Sequence, residues 1–196
     1  RMLERDPQLR ISSVRYIGAV LEDILHGRTT SKIPVDRRFQ TLTQEVQIVP
    51  KSNLPAQTTL FVGRDSEVTT LLQLLNNPAN RLITILAPGG MGKTRLSLEV
   101  AEQELQTYPD GVYFVELAPV SNPDDIVNAI AEAMAYQFQG GDIVPRQQLL
   151  NMLQRKALLL VMDNFEHLLE GKALVADILK IAPNVKILVT SRQPLR

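Results

Sequence analysis

The chain has 196 residues, enough for one full domain or one and a half. It is 44% hydrophobic and carries 21 basic against 21 acidic residues, an ordinary globular balance with no net charge to draw in nucleic acid or an anionic membrane. It has no cysteine, which excludes a disulfide framework or thiolate metal site and fits a reducing cytoplasm, and its longest clean apolar run, Ala157–Met162, is far short of the roughly 20 residues that span a bilayer.

In chain order, residues 1–27 read as a small unit. "ISSVRYIGAVLEDILHG" sets Val14, Ile17, Leu21, Ile24 and Leu25 close to helical spacing, with Ser12 as N-cap and Gly27 as stop. One such helix cannot bury its own face, so the unit reads as the end of an upstream body. Residues 28–53 mix Thr, Ser, Pro and charge without a sustained period and read as a linker. The chain opens on Arg1 and stops soon after an apolar run, so it reads as a piece of something longer.

From residue 54 to 196 the pattern changes. A helical stripe of Val68, Leu71, Leu72 and Leu75 runs through 64–75. Residues 81–87 read as a buried strand, 92–107 as a helix and 111–117 as a strand. Residues 123–137 read as a helix that Pro123 can open, and 147–154 as a further helical piece. Then come a strand (157–163), a helix (164–182) and a strand (185–191). Continuously apolar strands alternating with helices predict an α/β fold: a parallel sheet with helices on both faces.

The stretch "LAPGGMGKTRL" (86–96) carries the chemistry. Gly92-Lys93-Thr94 closes the pattern G-x-x-x-x-G-K-[ST], whose first position is Ala87 here. A strand precedes it and a helix follows, which is the context a phosphate cradle needs, because a helix N-terminus aims free N–H groups at an anion. The candidate segment comprises Pro88, Gly89, Gly90, Met91, Gly92, Lys93, Thr94 and Arg95. Gly89, Gly90 and Gly92 let the backbone approach phosphate oxygens. Lys93 would reach the β- and γ-phosphates, and the Thr94 hydroxyl would bind Mg²⁺. Ala87 sits at a strand end, where a small side chain is tolerable. The reading is therefore a parallel-sheet P-loop NTPase core.

Such sites hold Mg²⁺ with a second group, an Asp at the tip of another apolar strand. "ALLLVMDNFEHL" supplies Asp163 there. Many P-loop ATPases place a water-polarising acid directly after that Asp, but position 164 is Asn164. Glu166 stands nearby. It either turns toward the γ-phosphate as the water-activating base or sits exposed in a helix's first turn, where the helix dipole favours an acid. His167 is either functional or a structural helix-face histidine.

Taken together, "FVGRDSEVTTLL", "APGGMGKTRL", "GVYFVELAPVSNPDDI", "LLLVMDNFEHLL" and "KILVTSRQPL" resemble, in order, the motifs of STAND-type signalling ATPases, in particular NB-ARC-like modules of bacterial regulators. The resemblance covers about 54–196. It implies that Phe61, Val62 and Arg64 lie against adenine and that Arg192 senses the γ-phosphate. It also implies ATP and ADP as ligands, and a slow ATPase acting as a switch. Implied partners are the nucleotide, other domains of the same polypeptide and a homo-oligomer on activation, with no direct nucleic-acid or membrane contact. Residues 1–27 resemble the end of a Ser/Thr protein kinase C-lobe, with Arg10 at that family's buried arginine. The chain has no kinase catalytic motif.

Three functions follow. The first is a nucleotide-dependent switch that hydrolyses ATP slowly. The second is a module that holds ADP or ATP tightly with negligible turnover, on which Asn164 puts weight. A small-molecule kinase would need an arginine-rich lid, and no such insertion separates the strands. No guanine-reading N-K-x-D follows a strand either.

Overall fold

A computed structural model describes residues 51–194. Four parallel strands form one sheet: β1 (Leu82–Leu86), β2 (Val112–Glu116), β3 (Leu159–Asp163) and β4 (Lys186–Ser191). Their spatial order is β1-β4-β3-β2. The chain crosses from β1 to the far edge and walks back. Because all strands run the same way, the loops after β1, β3 and β4 open at one end of the sheet, where α/β folds bind ligands.

The helices are α1 (Asp65–Asn76), α2 (Lys93–Gln103), α3 (Ile126–Ala133), α4 (Pro145–Leu153) and α5 (Lys172–Ile181). Every residue of β3 is buried, and so are all but the first of β4. On one face, Val161 and Leu188 pack with Val68, Leu71 and Leu75 of α1 and with Leu96 and Val100 of α2. On the other, Leu160, Met162, Ile187 and Val189 pack with Ile130 of α3, Leu149 and Leu153 of α4 and Ile178 of α5. The register Leu160↔Ile187 and Met162↔Val189 keeps each set on its own side. This is the expected fold class, a parallel sheet covered on both faces.

Three predicted helices are shorter than the sequence suggests. The one expected over 92–107 ends at Gln103 as α2. The helix expected over 123–137 is a 3₁₀ turn at Pro123–Asp125 followed by α3. It stops because Ala135 turns left-handed at φ 50°. Tyr136 N–H then bonds Ala131 C=O at 2.8 Å and Ala135 N–H bonds Glu132 C=O at 2.9 Å, which closes the helix end without a glycine. The helix expected over 164–182 is corrected to two 3₁₀ turns, Phe165–His167 and Leu169–Gly171, and then α5. Phe165 and Leu168 are fully buried and draw the chain into the core. At Gly171 a Cβ would lie 2.3 Å from the buried Ile126 Cδ1, so the chain passes too closely for a larger residue.

Polar side chains tie the elements together. Arg81 donates to the carbonyls of Leu179, Ala182 and Val185, capping the end of α5 where β4 begins. Residues 51–53, part of the expected linker, run along β2. Lys51 C=O accepts from Val112 N–H at 3.0 Å. The Asn53 amide accepts from Phe114 N–H at 2.7 Å and donates to Phe114 C=O at 2.8 Å. Residues 1–50, with their kinase-like segment and the rest of the linker, lie outside the described residues.

Asp110 joins the start of β2 to the approach to β3. It accepts from Lys156 Nζ and from Ala157 N–H, each at 2.8 Å. The Lys156 hydrogen bond, then that of Ala157, holds its carboxyl below the usual carboxylate range. Asp110→Ala is expected to cost about 1–2 kcal/mol at neutral pH. A lowered folded pKa means this stability is complete above the unfolded value of about 3.9 and is lost as pH falls through the folded value. Urea melts at pH 7 and pH 3 check it. The gap between wild type and variant narrows at the lower pH, and an equal gap at both would show that charge contributes nothing.

Candidate functional site

The loop between β1 and α2 brings the predicted phosphate-binding residues together. Gly90 (φ 76°) and Gly92 (φ 72°) adopt left-handed backbone that side chains disfavour. At Gly89 a Cβ would stand 3.2 Å from the Arg192 guanidinium, a tight contact that this exposed side chain would have to yield to. Ala87 has no such constraint. Its N–H extends the ladder to Ser191 C=O at 3.4 Å. No side chain caps α2 at Gly92, so the first N–H groups of an eleven-residue helix face the loop.

Lys93 is buried at 8% exposure. Its Nζ donates to Ala87 C=O at 2.8 Å and Pro88 C=O at 3.1 Å. An ammonium has three donors, so one remains. Among the described residues, no carboxylate forms an ion pair with it. A buried cation without a counter-charge is costly, and an anion in the loop would offset that cost.

Asp163 ends β3 and is also 8% exposed. Thr94 Oγ1 lies 2.8 and 2.9 Å from its two oxygens. Thr190, from the next strand, donates to Oδ1 at 2.6 Å. Thr94 and Asp163 thus meet as expected, and their oxygens suit a hard divalent cation. Thr190 was not anticipated. The available signal was a hydroxyl in the last turn of an apolar strand two residues before Arg192.

Asn164 turns left-handed immediately after Asp163, at φ 70° and ψ 47°. Asparagine tolerates this backbone better than most residues. The turn brings Glu166 to Arg192, whose guanidinium stands beside Gly89 of the loop. Its Oε1 pairs with Arg192 Nε at 2.9 Å, and its side chain is 14% exposed against 60% for Arg192. Glu166 Oε2 is buried and has no hydrogen-bond partner among the described residues. Glu166 is therefore not an exposed first-turn acid. His167 Nε2 meets Val120 C=O at 2.8 Å; a carbonyl only accepts, so Nε2 carries the proton and the ring ties this turn to the loop after β2.

The segment before α1 forms a second part of the site. Gly63 (φ 78°) and Arg64 (φ 61°) are consecutive left-handed residues that open α1. Phe61, Val62 and Arg64 line a cavity of about 540 Å³ with Gly90, Met91, Gly92 and Arg95, directly beside the loop. Phe61 is half-buried, while Val62 is 87% and Met91 49% exposed. Arg95 donates to Thr59 C=O, which holds the segment against α2. A larger cavity, about 820 Å³, lies between α4 and residues 136–143 and contains none of the predicted site residues.

A glycine-rich strand-to-helix loop with its lysine and threonine, and an acid at a neighbouring strand tip, define a P-loop NTPase domain. A family model described as an AAA domain matches residues 77–192. That is more than half of the chain, and the chain belongs to this family.

Among curated relatives, a Mycobacterium tuberculosis protein named "Putative HTH-type transcriptional regulator" is 38% identical over 118 residues, covering 59% of this chain and 13% of that protein. The regulatory protein AfsR of Streptomyces griseus is 28% identical over 151 residues, covering 72% of this chain and 15% of AfsR. The chain thus spans only about an eighth of the length of the first of these. In fold it is similar to the Aeropyrum pernix ORC1 protein solved in complex with DNA: TM-score 0.53, 20% identity, 69% of this chain and 40% of that one. It is also similar to the Aeropyrum pernix ORC2 protein solved as ADPNP–ADP complexes: TM-score 0.51, 15% identity, 71% and 43%. No helix among the described residues is long and apolar enough to cross a membrane.

The backbone at Asn164 is open to test. Asn164→Gly is expected to leave stability within about 0.5 kcal/mol, whereas Asn164→Val costs about 1–2 kcal/mol, because a β-branched residue resists the left-handed region. Denaturant midpoints compare them. Equal midpoints would mean that this turn does not hold the left-handed backbone.

Proposed function

We propose that this domain is an ATP/ADP-binding switch module of a larger signalling or transcription regulator, and that it hydrolyses ATP slowly. The observation that carries the reading is Lys93: a buried ammonium that, among the described residues, has no carboxylate partner and one donor free, at the uncapped start of α2. The names of the relatives support a regulator, and the five STAND-like motifs support an NB-ARC-like switch. ATP in preference to GTP rests on that resemblance, as does the kinase-like reading of residues 1–27.

Each residue then has a role. The first-turn N–H groups of α2 and the free Lys93 donor hold the β- and γ-phosphates. Thr94 and Asp163 would hold Mg²⁺, which when bound supplies charge neutralisation on the phosphate oxygens. Phe61, Val62 and Arg64 line the space for the base. Glu166 would take the proton of the attacking water once its carboxylate opens to the loop, while Arg192 orients that carboxylate through Oε1 and lies close enough to Gly89 to meet a γ-phosphate.

A second reading is tight nucleotide binding with negligible turnover. The Glu166–Arg192 ion pair favours it, because the guanidinium occupies Oε1, an oxygen that would otherwise be open to an attacking water.

Binding and turnover assays decide. Lys93→Ala is expected to weaken ADP binding by about 2–5 kcal/mol, roughly 30-fold or more. Unchanged affinity would refute the phosphate-loop assignment. Glu166→Gln is expected to leave affinity intact and slow multiple-turnover hydrolysis about 10²–10³-fold. Tight binding with no turnover in either wild type or Glu166→Gln would leave the second reading.

A further inference from the structure

The hydrogen bonds to Asp163 are shared unequally between its oxygens. Thr94 Oγ1 sits between the two, 2.8 Å from Oδ1 and 2.9 Å from Oδ2. Thr190 Oγ1 approaches Oδ1 alone, at 2.6 Å. A hydroxyl has a single proton, and the direction of the Thr190 proton is settled by its other partner. Asn164 N–H donates to Thr190 Oγ1 at 2.9 Å, so the Thr190 proton points at the carboxylate. Thr190 is 1% exposed, so bulk water does not compete for that bond.

Thr94 is in a different position. If its oxygen ligates a cation, it gives up a lone pair and its proton turns away from Asp163. Of the two hydroxyl donors, Thr190 then remains, and it engages Oδ1. We propose that Thr190 is a positioning residue: it holds Oδ1 of Asp163 so that Oδ2 is the oxygen offered to the cation or its water, and it ties this carboxylate to the turn that carries Glu166. Thr190 does not touch nucleotide. It acts through Asp163 on one side and the Asn164 N–H on the other, so β4 sets both the cation's acid and the start of the catalytic turn. Groups that orient a metal ligand commonly change metal affinity 10–100-fold when lost.

This inference rests on the Mg²⁺ reading above, and its test separates the two. The affinity of the 196-residue chain for a non-hydrolysable ATP analogue is measured by calorimetry in excess Mg²⁺ and in EDTA. The readout is the ratio of the two affinities. Wild type is expected to bind more tightly with Mg²⁺. Thr190→Val keeps the shape and removes the hydroxyl; it is expected to cut that ratio about tenfold or more while leaving affinity in EDTA unchanged. Thr190→Ser restores the ratio. If Thr190→Val fails to fold, Thr190→Cys, whose thiol is a weak donor, carries the same comparison. A Thr190→Val ratio equal to that of wild type overturns the proposal, and so does an equal loss of affinity with and without Mg²⁺. A wild type indifferent to Mg²⁺ overturns the cation reading itself.

Discussion

The candidate site is organised around one buried carboxylate. Asp163 is buried at the tip of a fully buried strand, and hydroxyls from a helix and from the neighbouring strand converge on it. Burying a charged group is expensive unless its lone pairs are met, and here they are met by hydroxyls belonging to two different elements, α2 and β4. The strand order makes this possible. With β4 between β1 and β3, the residues at the end of β4 lie between the phosphate loop and the acid. Thr190 reaches one way to Asp163, and the Arg192 side chain packs against Gly89 while pairing with Glu166.

Much of this was legible in the sequence because it rests on periodicity and on residue types that few positions accept. Four apolar runs became four strands, and the glycine-rich loop fell between a strand and a helix because both flanks carried unambiguous patterns. The misses have physical causes. The end of α3 was hidden because Ala135, rather than a glycine, takes the left-handed position. The turns after β3 looked helical because Phe165, Leu168 and Leu169 keep an apolar rhythm, yet the pull of Phe165 and Leu168 into the core wins over regular helix. Thr190 and Asn53 act through side-chain hydrogen bonds to residues distant in sequence, and a linear pattern does not encode such partners.

Asn164 illustrates how a site can be misjudged position by position. Compared with a motif that places an acid there, it is a loss. In the fold it is a backbone device. Its left-handed turn delivers the next acid, Glu166, to Arg192, which stands beside Gly89 of the loop, with one oxygen engaged by that guanidinium and the other unpartnered among the described residues. A carboxylate can therefore reach the same region by a change of chain direction, with no residue matching the expected column.

The Asn53 clamp on β2 has a mechanical consequence. Lys51 C=O and both ends of the Asn53 amide bond β2 side by side, at Val112 and Phe114, as a short parallel rung along the sheet's outer edge. A tug along such a segment loads those bonds together, in shear, whereas a tug away from the edge peels them one at a time. The attachment is firm lengthwise and weak crosswise. Because the amide is uncharged, salt does little to loosen it. Residues 51–53 therefore act as a handle on the strand whose last residue, Glu116, lies in register with Asp163.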